Sequence, residues 1–212
     1  MEHRRFAVST GDACRYPADV APFAAIDSPG MDAIWQLHSL LTPGESVWIF
    51  AGDCPRIPEL VFEEDLKCLQ MVLPEEVSPP DRGVEIVRLS GENAPEMVAL
   101  TDLAFPGFFR GRTCEMGTYY GVRSGGELIA LGGERMKLNG YTEISAVCTH
   151  PAHRGKGLAA NLIRQLARDH RRDGVVSWLH VSSGNRHAIE LYLRLGFSVV
   201  REVIVSRISR RE

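Results

Sequence analysis

The run Val147-Cys-Thr-His-Pro-Ala-His-Arg-Gly-Lys-Gly-Leu-Ala159 has the residue types of a strand that enters a glycine-rich turn and then a helix. Backbone amides in such a turn have no partner of their own, and the helix dipole places partial positive charge there. Both attract phosphate, so the run reads as a cradle for a pyrophosphate. Pro151 suits a strand exit because it cannot donate to a ladder. Gly155 and Gly157 carry no Cβ, which lets a phosphate approach the main chain closely. Arg154 and Lys156 add positive charge there, although each reads equally well as a solvated surface cation. Two nucleotide motifs are excluded: the P-loop, whose Gly-Lys-Ser/Thr ending is missing, and GxGxxG, since no acidic residue ends the next strand.

Cys148 reads as a small buried hydrophobe, and no acidic partner orients His150 or His153 towards it. Those histidines read as surface residues beside the cradle, not as metal ligands. Tyr192 offers a phenol that stays protonated at neutral pH and can donate a proton, or it packs as an ordinary helix tyrosine. Asn185 is placed to cap the helix that carries it.

The wider pattern Val147-x-Thr149-x-Pro151-x-x-Arg154-Gly-x-Gly157-x-Ala159 resembles the acyl-CoA-binding signature of the GNAT superfamily of N-acetyltransferases. The tail Asn185-x-x-Ala188-x-x-x-Tyr192-x-x-x-Gly196-Phe197 resembles that family's second signature. The resemblance covers about residues 84–207 and leaves out the first eighty. It implies a mixed, mostly antiparallel central sheet with flanking helices, and acetyl-CoA as cosubstrate. It also implies that Arg154, Gly155, Lys156, Gly157, Leu158 and Ala159 hold the pyrophosphate. The main chain of Val147, Cys148 and Thr149 would pair with the pantetheine arm, which Asn185 would also touch. Tyr192 would protonate the departing thiolate.

Attack on a thioester needs a neutral amine, so some group must take a proton. The candidates are Glu143, Glu134 and Ser145, with Glu143 at the start of the divergent strand the one assigned. Strand alternation places Glu143, Ser145 and Val147 on one face, and Ile144, Ala146 and Cys148 on the other. Phe105, Phe108 and Phe109, with Arg110 and Arg112, form a loop where the family places acceptor contacts. The implied activity is acetyl or short-acyl transfer from acetyl-CoA to a primary amine by direct attack. The alternative is a non-catalytic acyl-CoA sensor.

These residues need a scaffold. Strands are expected at 46–51, 84–89, 119–123, 128–138, 141–149, 175–181 and 197–206, and helices at 31–41, 93–104, 155–172 and 186–195. Residues 60–73 read as a strand followed by an amphipathic helix, and residues 1–30 show no clean period. Hairpins followed by strand–helix–strand–helix–strand indicate a mixed α/β sheet. Three prolines between Leu73 and Gly83 suggest a linker, dividing a small N-terminal α/β region (1–80) from an acetyltransferase domain (84–212). The last residues, Arg207–Glu212, are expected to fray.

The 212 residues carry 24 Lys and Arg against 27 Asp and Glu, a net charge of −3 that argues against broad nucleic-acid binding. Five scattered cysteines without CxxC spacing suit reduced thiols in a cytoplasmic protein. No apolar run approaches a membrane span, and no h-region follows the N-terminal Met-Glu-His-Arg-Arg. The expected partner is a small-molecule or peptide amine acceptor, without membrane or nucleic acid; self-association stays open, with Trp35 or Trp48 as docking residues if exposed.

Overall fold

The computed structural model describes residues 5–50, 54–74, 76–81 and 83–212. In chain order the strands are β1 (Val8–Thr10), β2 (Ala13–Arg15), β3 (Phe23–Ile26), β4 (Ser46–Ile49), β5 (Leu60–Leu73) and β6 (Val87–Leu89). They continue with β7 (Tyr119–Ser124), β8 (Glu127–Leu138), β9 (Tyr141–Thr149), β10 (Val176–Ser182) and β11 (Ser198–Arg210). The helices are α1 (Met31–Leu40), α2 (Ala94–Asp102), α3 (Leu158–Arg172) and α4 (Arg186–Arg194). All eleven strands join one sheet, ordered β1-β2-β3-β4-β11-β5-β10-β9-β8-β7-β6. Only the β3/β4 and β9/β10 pairs are parallel. This is the mixed, mostly antiparallel sheet with flanking helices that the sequence led us to expect.

Apolar spacing explains how the helices dock. Leu162, Ile163, Leu166 and Ala167 recur at helical period in α3 and are buried, three of them packing beside Ile144, Leu179 and Phe197. Each such Leu or Ile contributes roughly 1.5–3 kcal/mol by leaving water. On the other face, Met97 and Leu100 of α2 pack with Leu131 and Cys148. Helix α1 buries Ile34 and Leu37 against Val47, Ile49 and Ile208.

Three expectations need correction. Residues 60–73 form one strand with no helix, because β11 pairs along Leu60–Val72 and β10 along Cys68–Leu73. The ladder to β11 overrides the charge pattern of its middle, where Glu63 pairs with Arg207 and Asp65 accepts from the Ser206 hydroxyl, both on β11. The tail does not fray at Arg207: β11 runs to Arg210, paired with both β4 and β5. Residues 8–26 supply β1 to β3, three or four residues each, too short to show a period. The strand expected to reach Ala51 ends at Ile49, and Ala51 lies outside the described residues.

The first eighty residues thus supply β5, between β10 and β11. Of the expected linker, Glu75 and Arg82 lie outside the described residues. Asp81 is clasped to α3: its amide donates to Asn161 Oδ1 at 2.7 Å, and Asn161 Nδ2 donates back to its carboxylate at 3.2 Å. Trp48 is buried and Trp35 is exposed. Among the described residues no helix is long and apolar enough to cross a membrane.

Candidate active site

Strands β9 and β10 pair only at Tyr141–Glu143 against Val176–Trp178. Both continue beyond that point, so past Glu143 and Trp178 their facing backbone edges have no ladder partner among the described residues. Unpaired amides and carbonyls need partners, and an extended amide-bearing arm would supply them. A bulge marks the opening. Ala146 and Val147 together oppose Gly132, and Ala146 is the one non-glycine with positive φ (55°) among the described residues. The bulge breaks the expected alternation: Val147 packs with Ile144 on the α3 face, while Ala146 and Cys148 face α2.

Past the end of β9 the chain makes a short 3-10 turn (Pro151–His153) and then the glycine turn. Gly155 (φ 78°) and Gly157 (φ 73°) both adopt the left-handed region that disfavours side chains. The N-cap Gly157 offers no side-chain cap, so among the described residues the first amides of α3 lack a capping partner. A Cβ built on Gly155 would meet nothing within 4 Å, and on Gly157 only Asn161 Nδ2 at 4.0 Å, so the turn is open above. Arg154 Nε reaches the Thr149 carbonyl at 3.4 Å, and Lys156 Nζ lies 3.5 Å from His153 Nδ1. These features fit the diphosphate and amide-rich arm of coenzyme A.

Tyr192 sits in α4, buried with Leu73, Leu179 and Phe197, the Phe197 ring centroid being 5.7 Å away. Burial pushes its phenol up to about 12, so it holds its proton at neutral pH. Its hydroxyl makes no hydrogen bond to the described residues. Asn185 caps α4, its Oδ1 accepting from the Ala188 amide at 3.2 Å. Burial pushes the Cys148 thiol up to about 12, which removes it as a nucleophile.

The face opposite α3 carries a side-chain network. A second bulge sets Arg135 and Met136 of β8 against Glu143 of β9. Arg135 donates to both carboxylate oxygens, Nε to Oε2 at 2.8 Å and Nη2 to Oε1 at 2.6 Å. His180 Nδ1 lies 2.8 Å from Oε1. Burial raises the Glu143 carboxyl, but the Arg135 charge and these hydrogen bonds outweigh it and hold the group at about 2. Both oxygens are therefore engaged, so Glu143 is a weak direct proton acceptor. Glu134 lies on the other face, bound by His170 at 3.1 Å, Lys137 at 3.1 Å and the Thr118 amide at 2.8 Å. Burial raises Glu134 too, and those hydrogen bonds bring it to about 2.

Ser145 lines a cavity of about 30 Å³ with Phe23, Phe105, Phe108, Phe109 and Arg135. The aromatic loop thus meets residues of the N-terminal region: Phe108 lies 5.3 Å from Trp48 and 6.1 Å from Phe23. Arg112 turns away, paired with Glu115 and Asp19. A larger cavity of about 310 Å³ lies at the far end of α3, beside Val77, Arg168 and Arg171, away from the glycine turn.

Reading the sequence alone missed Arg135, His180, Gln70, Arg201 and Phe50. A charged residue inside apolar β8, and a histidine within Trp-Leu-His-Val of β10, were the available signals.

Residues 119–205 match the family described as FR47-like protein. A GNAT-family protein from Novosphingobium aromaticivorans superposes with a TM-score of 0.89 at 32% identity, covering 100% of this chain and 94% of the other. An N-acetyltransferase from Kribbella flavida shares the fold at 18% identity (TM-score 0.65; 97% and 89% covered). The N-alpha-acetyltransferase RimI of Mycobacterium tuberculosis is 37% identical over 87 residues, which span 39% of this chain and about half (52%) of that relative.

Proposed function

The chain belongs to the GNAT superfamily of N-acetyltransferases, and from that membership we propose that it moves an acetyl or short acyl group from acetyl-CoA to a primary amine by direct attack. The β9/β10 split, with an uncapped left-handed glycine turn at its outer end, carries this reading. The pyrophosphate would lie on the amides of Gly155 to Ala159, with Arg154 and Lys156 adding charge. The pantetheine arm would pair with the main chain of Val147, Cys148 and Thr149, with Asn185 close by. Held this way, the thioester is fixed in position before the amine arrives.

Tyr192 is the proposed acid. A phenol pushed up to about 12 keeps its proton at neutral pH. A departing thiolate is less basic than this phenolate, so the proton passes to sulfur as the C–S bond breaks only in step with return of a proton from the acylated nitrogen to the phenolate. The acceptor approaches on the face opposite α3, where the N-terminal region contributes Phe23 and Phe50. The relative's name makes peptide N-termini one class to test beside small amines. A cytoplasmic setting suits the reduced thiols.

Calorimetry and a thiol-release assay across amine acceptors test this reading. Acetyl-CoA should bind, and Tyr192→Phe should cut kcat by about 100-fold while binding persists. Absence of any heat with acetyl-CoA would sink the proposal. Binding without thiol release on every acceptor would instead favour an acyl-CoA sensor.

A further inference from the structure

His180 has no part in the acyl-CoA site, yet four side chains fix its ring. It stands on β10 two residues past the last β9 pair, on the face opposite α3, with its side chain 6% exposed. Its Nδ1 faces Glu143 Oε1 at 2.8 Å, and Arg135 holds that carboxylate from the other side. Its Nε2 lies 3.3 Å from Gln70 Nε2 on β5. The Gln70 amide cannot be turned round, because Arg201 Nε, solely a donor, meets its Oε1 at 2.8 Å.

An amide NH2 only donates, so the ring nitrogen facing it must carry the lone pair. The proton then sits on Nδ1, towards the carboxylate, and the imidazole is neutral with Nε2 as its basic atom. At 3.3 Å the bond from Gln70 is long for N–H···N, so a stronger donor can displace it. Phe50 and Trp178 flank the ring at 4.8 and 4.9 Å. The Trp178 indole N–H, buried in the same patch, has no acceptor among the described residues. A buried donor left alone is costly, and a polar ligand atom there would satisfy it.

We propose that His180, rather than Glu143, takes the proton of the attacking amine, with Glu143 and Arg135 as positioning residues and the Arg201–Gln70 pair setting the tautomer. This rests on the acetyl-transfer reading above. The acceptor ammonium gives one proton to Nε2, and its freed lone pair forms the C–N bond at the thioester carbonyl. The C–S bond breaks, and Tyr192 supplies the thiolate with a proton that the nitrogen, now an amide, gives back to the phenolate. The imidazolium, stabilised beside ionised Glu143, later releases its proton to water. The arrangement uses the logic of a carboxylate-oriented histidine base, without a serine.

Of the titratable and charged groups in this network, Glu143 on β9 meets the ring directly, Arg135 on β8 acts through Glu143, Arg201 on β11 acts through Gln70, and Tyr16, whose phenol burial pushes up to about 12, feels Arg135 and Glu143. Loss of the acidic limb of kcat/KM on replacing His180 is therefore the readout that separates a proton acceptor from a merely structural ring. The test follows thiol release by the full chain, with acetyl-CoA and the best amine of the panel, from pH 5 to 9. His180→Gln should lower kcat by about 100-fold or more and abolish the acidic limb, with acetyl-CoA affinity within about 3-fold of wild type. Added imidazole should partly restore His180→Ala. Gln70→Met, which leaves the base in place and removes its competing donor, should move the acidic limb to higher pH.

Wild-type kcat and an intact acidic limb in His180→Gln would overturn the proposal and leave the acetyl-transfer reading standing. An unmoved limb in Gln70→Met would also count against it. Failure of the wild-type chain to bind acetyl-CoA would remove the parent reading and this one together.

Discussion

On one face of the β9/β10 split the chain presents main-chain atoms, and on the other it presents side chains. The α3 side consists of two left-handed glycines, an uncapped helix start and strand edges without a ladder. Its ligand-facing atoms are the same in every residue, so what matters there is torsion and open space. The opposite side is the chain Arg201–Gln70–His180–Glu143–Arg135, in which the identity of each side chain sets which atoms donate and which accept. A main-chain cradle suits a cosubstrate shared by many enzymes. A side-chain network suits the individual step of moving a proton from one kind of acceptor.

Substitutions should separate the two faces. The largest effect is expected from Arg135→Met, which strands a buried carboxylate and should cost about 3–5 kcal/mol in urea unfolding. Adding Glu143→Leu should recover most of that loss, because no buried charge is then left alone; no recovery would mean the pair does not hold this face together. Next comes Gly157→Val, which forces a β-branched residue to φ 73° at a cost of about 1–3 kcal/mol. Acetyl-CoA affinity by calorimetry should fall by more than that strain alone implies, since the new side chain also covers the amides. Unchanged affinity would show that the glycine turn does not touch the cosubstrate.

The smallest effect is expected from acid. Glu134 and Glu143 lie at about 2 in the fold, while an unfolded glutamate sits near ~4.3. Between those values the unfolded chain binds more protons, so stability is full above the unfolded value and falls as pH drops towards the folded one. By pH 4 the loss should be under about 1 kcal/mol per carboxylate, read from urea midpoints at pH 7 and pH 4. Glu134→Gln should remove one share of that pH dependence. An unchanged dependence would mean Glu134 is not held by its partners.

How much was readable in advance follows the same division. Hairpins, β9 and the starts of α1, α2 and α4 were readable to within a residue because glycine, proline and asparagine act on their own backbone. The helix expected from Gly155 instead begins at Leu158, since Gly155 and Gly157 are left-handed. β9 came out with both its bounds, and Asn185 as the cap of α4. The 60–73 segment was misread because its strand state depends on β10 and β11, more than a hundred residues later. The face of Val147 was misread because a one-residue bulge at Ala146 shifts everything after it. His180 looked ordinary because its partners are 37 and 110 residues away, and the Arg201–Gln70 bond that orders them spans 131.

From the amino-acid order alone came the phosphate-ready turn and the tyrosine helix, since torsional preference and helix capping act within a few residues; the expected cosubstrate came from the resemblance of two motifs to a family. Which side chains meet across the split, and which nitrogen of His180 bears the lone pair, was decided only in the folded sheet. Two bulges and the pairing of β5 between β10 and β11 set those positions, and strand register is a property of partners that a single segment does not contain.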